Sequence, residues 1–74
     1  MEHIGKLIKQ EMERQERTPT WLARKISCER TNVYYIFKQE SLQADMIERI
    51  SIALNHNFFQ DISETLSSQL HNSV

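Results

Sequence analysis

The sequence predicts a single all-α domain built from five helices. Its 74 residues include one glycine and one proline, so the turn residues that a β-sheet needs at many points are scarce. Long stretches consist of Glu, Lys, Arg, Gln, Leu, Ile and Ala, which favour helix. A chain of this length forms one domain that buries about 60% of its unfolded surface, which leaves little room for a deep catalytic pocket. We therefore expect no enzyme activity.

The first two helices are marked by their apolar spacing and by a capping signal. In the segment 2–15, apolar side chains follow one helical stripe: Ile4, Leu7, Ile8 and Met12. Residues 16–18 form a short linker. Thr18 can cap the second helix, and Pro19 suits its first position, where a missing N–H costs nothing. The predicted inward face of this helix consists of Leu22, Ala23 and Ile26.

Three further helices follow after short connections. The third covers about 29–38 and the fourth about 44–54, with these apolar positions: Val33, Ile36 and Phe37, then Ile47, Ile50, Ala53 and Leu54. Asn55 tolerates a left-handed conformation at the end of the fourth helix, and Asn57 and Gln60 have capping-box spacing. The fifth helix carries the stripe Phe59, Ile62, Leu66 and Leu70. We assign residues 1–66 to the folded domain and expect the polar tail 67–74 to fray.

Several classes of site and compartment find no support in the sequence. The one cysteine, Cys28, cannot form an internal disulfide and fits a reducing compartment. We expect its side chain to fill the core of the domain. No apolar run approaches the roughly 20 residues of a membrane span, and no signal peptide is visible. The histidines are scattered, without a cysteine or acid at ligand spacing. We predict a cytoplasmic protein with no membrane segment, metal, cofactor or small-molecule ligand.

The net charge of −1 hides an uneven distribution. Residues 1–38 hold eight basic and five acidic residues, whereas residues 39–74 hold one basic and five acidic residues. The two halves therefore carry +3 and −4. Such an asymmetry allows one face to attract phosphate while another repels it, although ordinary surface charge is the simpler interpretation of this feature alone.

The stretch 19–38, PTWLARKISCERTNVYYIFK, resembles the helix-turn-helix of the lambda-repressor-like DNA-binding family. The family pattern is Leu-Ala, two polar residues, an apolar residue, Gly, Val, Ser, three variable residues, Ile or Val, two variable residues and Ile. Here Leu22 and Ala23 open the pattern, and Val33 and Ile36 close it. The resemblance implies that helices 2 and 3 cross steeply at the small Ala23, so that helix 3 presents its outer face to the major groove.

The resemblance covers roughly residues 4–62, because the fourth helix also matches its family counterpart: Ile47, Ile50, Ser51, Ala53 and Leu54. Two positions depart from the pattern. Ser27 stands where glycine is usual, and a left-handed conformation there costs serine about 1 kcal/mol. Glu29 replaces the usual serine cap, and its carboxylate suits the helix dipole but repels phosphate. We expect both departures to change the details of docking more than the fold.

Helical geometry divides the third helix into two sides. At about 100° per residue, Ile36 and Phe37 lie within about 60° of Val33 and form the inward side. The outward side and its flanks carry six candidate DNA contacts: Arg30, Thr31, Asn32, Tyr34, Tyr35 and Lys38. Arginine can read guanine and asparagine can read adenine, while hydroxyl and ammonium groups suit phosphate.

The candidates divide into base contacts and backbone contacts. Residues near the N-terminus of a recognition helix point deepest into the groove, so Arg30 and Thr31 are the first candidates for base contacts, followed by Tyr34. The outward residues expected to hold the DNA backbone are Tyr35 and Lys38. The family resemblance adds Thr20 as a phosphate contact and Arg17 as its helper. Trp21 is expected to pack partly under the first helix rather than to anchor a partner.

The sequence therefore predicts a protein that binds double-stranded DNA sequence-specifically as a small regulator of the repressor type. The alternative is a protein-interaction module or an antitoxin-like protein that has kept the fold and acts through a protein partner. Its support is the negative net charge, Glu29 and two adjacent exposed tyrosines. Repressors of this type usually bind as dimers, so we also predict a weak homodimer through the last helix: Phe59, Ile62, Leu66 and Leu70.

Overall fold

The computed structural model describes residues 3–72, and this part of the chain contains five α-helices and no strand. The helices are α1 (Ile4–Arg14), α2 (Pro19–Lys25), α3 (Arg30–Phe37), α4 (Ala44–Leu54) and α5 (Phe58–Asn72). The predicted all-α class and the number of helices are therefore confirmed. None of these five helices combines the length and the apolar character that crossing a bilayer requires.

The core receives buried apolar side chains from every helix and from the turn after α2. Twelve are buried: Ile4, Ile8, Met12, Leu22, Ala23, Ile26, Val33, Ile36, Ile47, Ile50, Leu54 and Phe58. These include most of the inward positions that the apolar spacing predicts in the first four helices. Four other predicted core positions are only partly buried against this cluster: Leu7, Cys28, Phe37 and Ala53. The domain thus has one continuous core, in which α3 contributes Val33 and Ile36.

The fifth helix meets the core at a different position from the one that its apolar stripe suggests. Phe58, the first residue of α5, is fully buried, whereas its neighbour Phe59 is 41% exposed. Ile62 lies one turn after Phe58 and is partly buried against the core. The buried side of α5 therefore starts at Phe58, next to the stripe that the sequence assigns to contact between two copies. Helix α5 continues through residues 67–72 of the predicted polar tail, and residues 73–74 of that tail lie outside the described residues.

Three helices end at a residue with a left-handed backbone conformation. Glu16 follows α1 with a φ of 58°, Ser27 follows α2 with 57°, and Asn55 follows α4 with 51°. In each case the next residue donates its N–H to the carbonyl five positions back, over 2.8 to 3.0 Å. This hydrogen bond defines the Schellman motif. The sequence predicts a left-handed residue at Ser27 and Asn55. It assigns Glu16 to a linker without predicting its backbone conformation.

The N-terminus of α1 is joined directly to the end of α3. The N–H of Gly5 donates to the carbonyl of Gln39 over 2.9 Å, and the N–H of Ile4 donates to the carbonyl of Glu40 over 3.1 Å. These bonds satisfy two donors that have no partner within α1. A Cβ atom at Gly5 would overlap the last two carbonyl oxygens of α3. The single glycine therefore permits a helix-to-helix approach that no other residue allows.

A polar cluster joins α1 to the connection between α4 and α5. The buried Glu11 carboxylate accepts hydrogen bonds from the Arg14 guanidinium, and Nδ1 of His56 lies 3.6 Å from it. The Gln15 amide donates to Glu11 over 2.6 Å and to the carbonyl of Leu54 over 2.7 Å. The hydrogen bond from Arg14 outweighs the desolvation caused by burial and lowers the pKa of Glu11. The ionised carboxylate therefore stabilises this junction at neutral pH.

Replacing Gly5 by alanine tests the close approach of α1 to α3. In an unobstructed helix, replacing glycine by alanine stabilises the helix by up to about 1 kcal/mol. Here we expect Gly5→Ala to lower the free energy of unfolding by about 1–3 kcal/mol, because the added methyl group overlaps backbone that cannot move aside. Urea denaturation followed by circular dichroism measures the change. The matched control is Ser63→Ala on exposed helix surface, which should not destabilise. An equally stable Gly5→Ala variant would contradict the proposed contact.

Replacing Ser27 by glycine tests the strain at the end of α2. Glycine adopts the observed positive φ without the clash that a Cβ atom causes, so Ser27→Gly should raise the free energy of unfolding by about 1 kcal/mol. The same denaturation experiment applies. The control is Ser41→Gly, at an exposed position without a positive φ, which should be neutral or destabilising. Equal effects of Ser27→Gly and Ser41→Gly on the free energy of unfolding would show that the turn after α2 is not strained.

Candidate nucleic-acid interface

Helices α2 and α3 pack against each other through the residues that the sequence pattern singles out. Leu22 and Ala23 of α2 are buried, as are Val33 and Ile36 of α3. Ala23 is only 5% exposed, and its small side chain suits the close contact between the two helices. Residues 26–29 join the helices, and within them Cys28 donates its N–H to the carbonyl of Ala23 over 2.9 Å. The corner between α2 and α3 is therefore fixed by both packing and backbone bonds.

The start of α2 follows the capping signal in the sequence. The Thr18 hydroxyl accepts a hydrogen bond from the N–H of Trp21 over 3.1 Å, and Pro19 occupies the first helical position. The start of α3 is different. Glu29 is the residue before α3, but its side chain makes no capping hydrogen bond. The carboxylate of Glu29 is thus exposed at the turn rather than engaged by the helix that it precedes.

A side chain from α4 forms a hydrogen bond with the turn between α2 and α3. The Arg49 guanidinium donates to the carbonyl of Ile26 over 2.6 Å, which satisfies an acceptor at the end of α2. Burial raises the pKa of the nearby Cys28 thiol, although the positive charge of Arg49 acts in the opposite direction. The thiol therefore stays protonated at neutral pH, as expected of a cysteine that packs. The sequence offers no signal for the role of Arg49, since its partner is a distant backbone carbonyl.

The outer side of α3 is open to solvent along its whole length. The six candidate residues there are all exposed: Arg30, Thr31, Asn32, Tyr34, Tyr35 and Lys38. Tyr34 is 49% and Tyr35 is 63% exposed, which is unusual for large aromatic side chains in a domain with so small a core. The Tyr34 ring meets Phe37 edge to face, with 6.2 Å between centroids. This contact fixes the ring while leaving its hydroxyl end free.

Helix α3 forms a ridge between two clefts. On one side, a cleft of about 250 Å³ lies between α3 and the start of α4, and Asn32 and Tyr35 contribute to its wall. On the other side, a cleft of about 190 Å³ lies between α3 and α1, and Tyr34 and Arg17 contribute to its wall. The outward residues of α3 therefore project from a convex element rather than from a flat surface.

The two candidates outside α3 occupy different positions. Arg17 lies in the connection between α1 and α2, where its guanidinium sits 4.4 Å from the centre of the Trp21 ring. It borders the same cleft as Tyr34, so the structure brings these two candidates to one side of α3. Thr20 is exposed in the first turn of α2. Trp21 is half-buried and packs against the core, as the sequence predicts.

The charges around α2 and α3 are predominantly positive. Residues 17–38 contain one acidic residue and five basic residues, and these five are all exposed: Arg17, Arg24, Lys25, Arg30 and Lys38. The ion pairs found within residues 3–72 involve only Arg14 and His56 as cations, so none engages these five side chains. By contrast, α4 and α5 carry Arg49 and four acidic residues: Asp45, Glu48, Asp61 and Glu64. The negative charge of the chain is thus concentrated on helices other than α2 and α3.

An apolar stripe on α5 faces solvent. Four residues at helical spacing form this α5 stripe, and three of them are exposed: Phe59, Leu66 and Leu70, with the partly buried Ile62 at its edge. These are the residues that the sequence suggests for contact between two copies. In the part of the chain that the structure describes, no group of three or more His, Cys, Asp or Glu side chains could hold a metal ion.

Comparison with known proteins adds no relative from which a role could be transferred. No protein-family model matches the chain, and no curated protein or solved structure shows a significant match to it.

Proposed function

We propose that this chain binds double-stranded DNA sequence-specifically and acts as a small transcriptional regulator of the repressor type. In this proposal α2 and α3 form a lambda-repressor-like helix-turn-helix, with α3 as the recognition helix in the major groove. The observation that carries it is the outer side of α3, a ridge of exposed polar and aromatic side chains among unpaired basic residues.

The dimensions of α3 suit a groove of B-DNA. An α-helix with its side chains is about 10–12 Å across, and the major groove is about 12 Å wide. At the N-terminal end, Arg30 can donate two hydrogen bonds to guanine, and Thr31 can contact a neighbouring base edge. Asn32 suits adenine, and Tyr34 follows one turn after Arg30. These four residues would read the sequence.

The backbone contacts would flank these base contacts. Tyr35 and Lys38 lie towards the C-terminal end of α3, and Thr20 lies at the start of α2. Hydroxyl and ammonium groups at these places can hold phosphates and set the register of α3 in the groove. The acidic residues of α4 and α5 then favour one orientation, since phosphate repels the surface that carries them. A net charge of −1 is thus compatible with DNA binding by one face.

The exposed α5 stripe supports a second part of the proposal, a weak homodimer. Phe59, Leu66 and Leu70 would be covered in a symmetric pair of α5 helices, which removes apolar surface from water. A dimer would also place two copies of α3 on the two halves of a palindromic site. The rival occupant of this stripe is a different protein, as in the antitoxin-like alternative.

The role of α3 is tested by selecting bound sequences from a random duplex pool and measuring affinity at several salt concentrations. Arg30→Ala should cost about 1–3 kcal/mol on the selected site and abolish preference at one base position. Lys38→Ala serves as the matched comparison. It should weaken all duplexes alike and reduce the slope of log K against log salt by about 0.9. Wild-type protein that shows no duplex binding at low salt, or an affinity indifferent to salt, would reject the proposed function.

The dimer is tested by analytical ultracentrifugation over a wide concentration range. We expect reversible self-association of the wild type and a monomer for Leu66→Glu, because the new charge would be buried between two copies. Ser68→Glu is the matched control, since it adds the same charge to the opposite side of α5 and should leave association unchanged. A wild type that stays monomeric at the highest concentration would refute the homodimer.

A further inference from the structure

Two basic side chains converge on the only tryptophan of the chain. The Arg17 guanidinium lies 4.4 Å and the Lys25 ammonium 5.6 Å from the centre of the Trp21 ring. Because both distances are measured from one centroid, the two cationic groups are at most 10 Å apart. Each makes a cation–π contact with the electron-rich face of the indole. Arg17, Trp21 and Lys25 are called the Trp21 stack below.

The Trp21 stack concentrates positive charge that no ion pair of the described residues compensates, although Glu13 lines the same cleft as Arg17. Both basic side chains are exposed, and neither takes part in any of the ion pairs found within residues 3–72. Two like charges held near one ring repel each other, and a nearby carboxylate would be the ordinary way to relieve this repulsion. An external anion that contacts both groups at once would relieve it instead. The stack therefore has the chemistry of a site for polyanions.

The ring that organises the Trp21 stack is itself firmly placed. Trp21 packs partly against the core, and its backbone N–H donates to the Thr18 hydroxyl over 3.1 Å. The backbone of Arg17 is fixed as well, since its N–H donates to the carbonyl of Met12 over 2.8 Å. Long basic side chains lose considerable freedom when they bind a phosphate. Contacts with a fixed ring restrict that freedom before any ligand arrives, which lowers the cost of binding.

The position of the Trp21 stack relates it to the proposed recognition helix. Arg17 borders the cleft between α1 and α3, whose other wall includes Tyr34. When α3 occupies a major groove, the sugar-phosphate backbone runs along the groove edges, at the flanks of the helix. Successive phosphates of one strand advance about 3.4 Å along the helix axis, so two cations within 10 Å can serve neighbouring phosphates.

We propose that Trp21 is a positioning residue that holds Arg17 and Lys25 as a paired contact to neighbouring phosphates of one DNA strand. This inference rests on the proposed function and adds Lys25 to the contacts that the sequence suggests. Trp21 itself touches no phosphate in this arrangement. Its effect on binding passes through the two cations, which predicts that the three residues are energetically coupled.

A double-mutant cycle measured by fluorescence anisotropy on a labelled duplex tests the coupling. Lys25→Ala should weaken wild-type binding and reduce the salt slope by about 0.9. Trp21→Leu should weaken binding about threefold to tenfold, because the cations lose their support. The fold-loss in affinity caused by Lys25→Ala should be smaller in the Trp21→Leu background than in wild type, by a factor of more than about two. Trp21→Phe keeps an aromatic face and should restore most of the affinity. Circular dichroism verifies that each variant is folded.

Arg24→Ala provides the matched control, since Arg24 is an exposed cation on α2 that makes no contact with the Trp21 ring. Its cost should be the same with and without Trp21→Leu. If wild-type protein binds DNA and the loss in affinity of the double variant equals the product of the two single losses to within about twofold, the positioning role is overturned and the proposed function stands. If wild-type protein does not bind duplex DNA, both are overturned.

A second readout examines the stack in the free protein. Because Trp21 is the only tryptophan, its fluorescence reports on this site alone. Adjacent cations attract the iodide anion but not neutral acrylamide, so Lys25→Ala should reduce quenching by iodide and leave quenching by acrylamide unchanged. Saturating duplex should suppress iodide quenching in wild type. Equal iodide quenching of wild type and Lys25→Ala would overturn the placement of Lys25 at the ring.

Discussion

The outward presentation of α3 depends on two places where another helix approaches it closely. Near its start, the small Ala23 allows α2 to pack beside Val33. Near its end, Gly5 allows the first turn of α1 to donate hydrogen bonds to the chain that leaves α3. With contacts at both ends and Arg49 bonded to the turn behind, α3 is held as a rigid element. A helix of eight residues is too short to be stable by itself, so this support decides its geometry.

The placement of the only glycine shows how a left-handed turn residue and a close approach of two helices differ as constraints on the sequence. A left-handed residue costs serine or glutamate about 1 kcal/mol, and the chain accepts that cost at Ser27 and Glu16. The approach at Gly5 offers no such compromise, because a Cβ atom would overlap backbone atoms of α3. Glycine therefore occurs where two backbones meet rather than at one of the left-handed positions that follow a helix. A local turn can absorb strain, whereas a contact between two packed helices cannot.

Local signals explain what could be predicted from the sequence. Thr18 and Pro19 mark the start of α2, and Asn55 marks the end of α4, because each acts on neighbouring backbone. Roles that depend on distant partners leave no such pattern, as Arg49 and Gln15 illustrate. In α5, Phe58 and Phe59 are adjacent, and apolar spacing alone does not choose which of them is buried. The exposure of the α3 candidates follows from helical periodicity, but what they contact does not.

The separation of charge between the helices connects the fold to the proposed interface. Helices α4 and α5 supply core residues and the exposed α5 stripe and carry four acidic residues against one arginine. The segment 17–38 around α2 and α3 carries one acidic residue and five basic residues, none of which takes part in an ion pair within the part of the chain that the structure describes. Leaving these cations unpaired costs the small domain stability, since they repel one another. Helix α2 offsets part of this repulsion through Trp21, whose ring attracts two cations and whose other atoms pack on the core. The same residue thereby packs against the core and contacts two cations of the proposed interface.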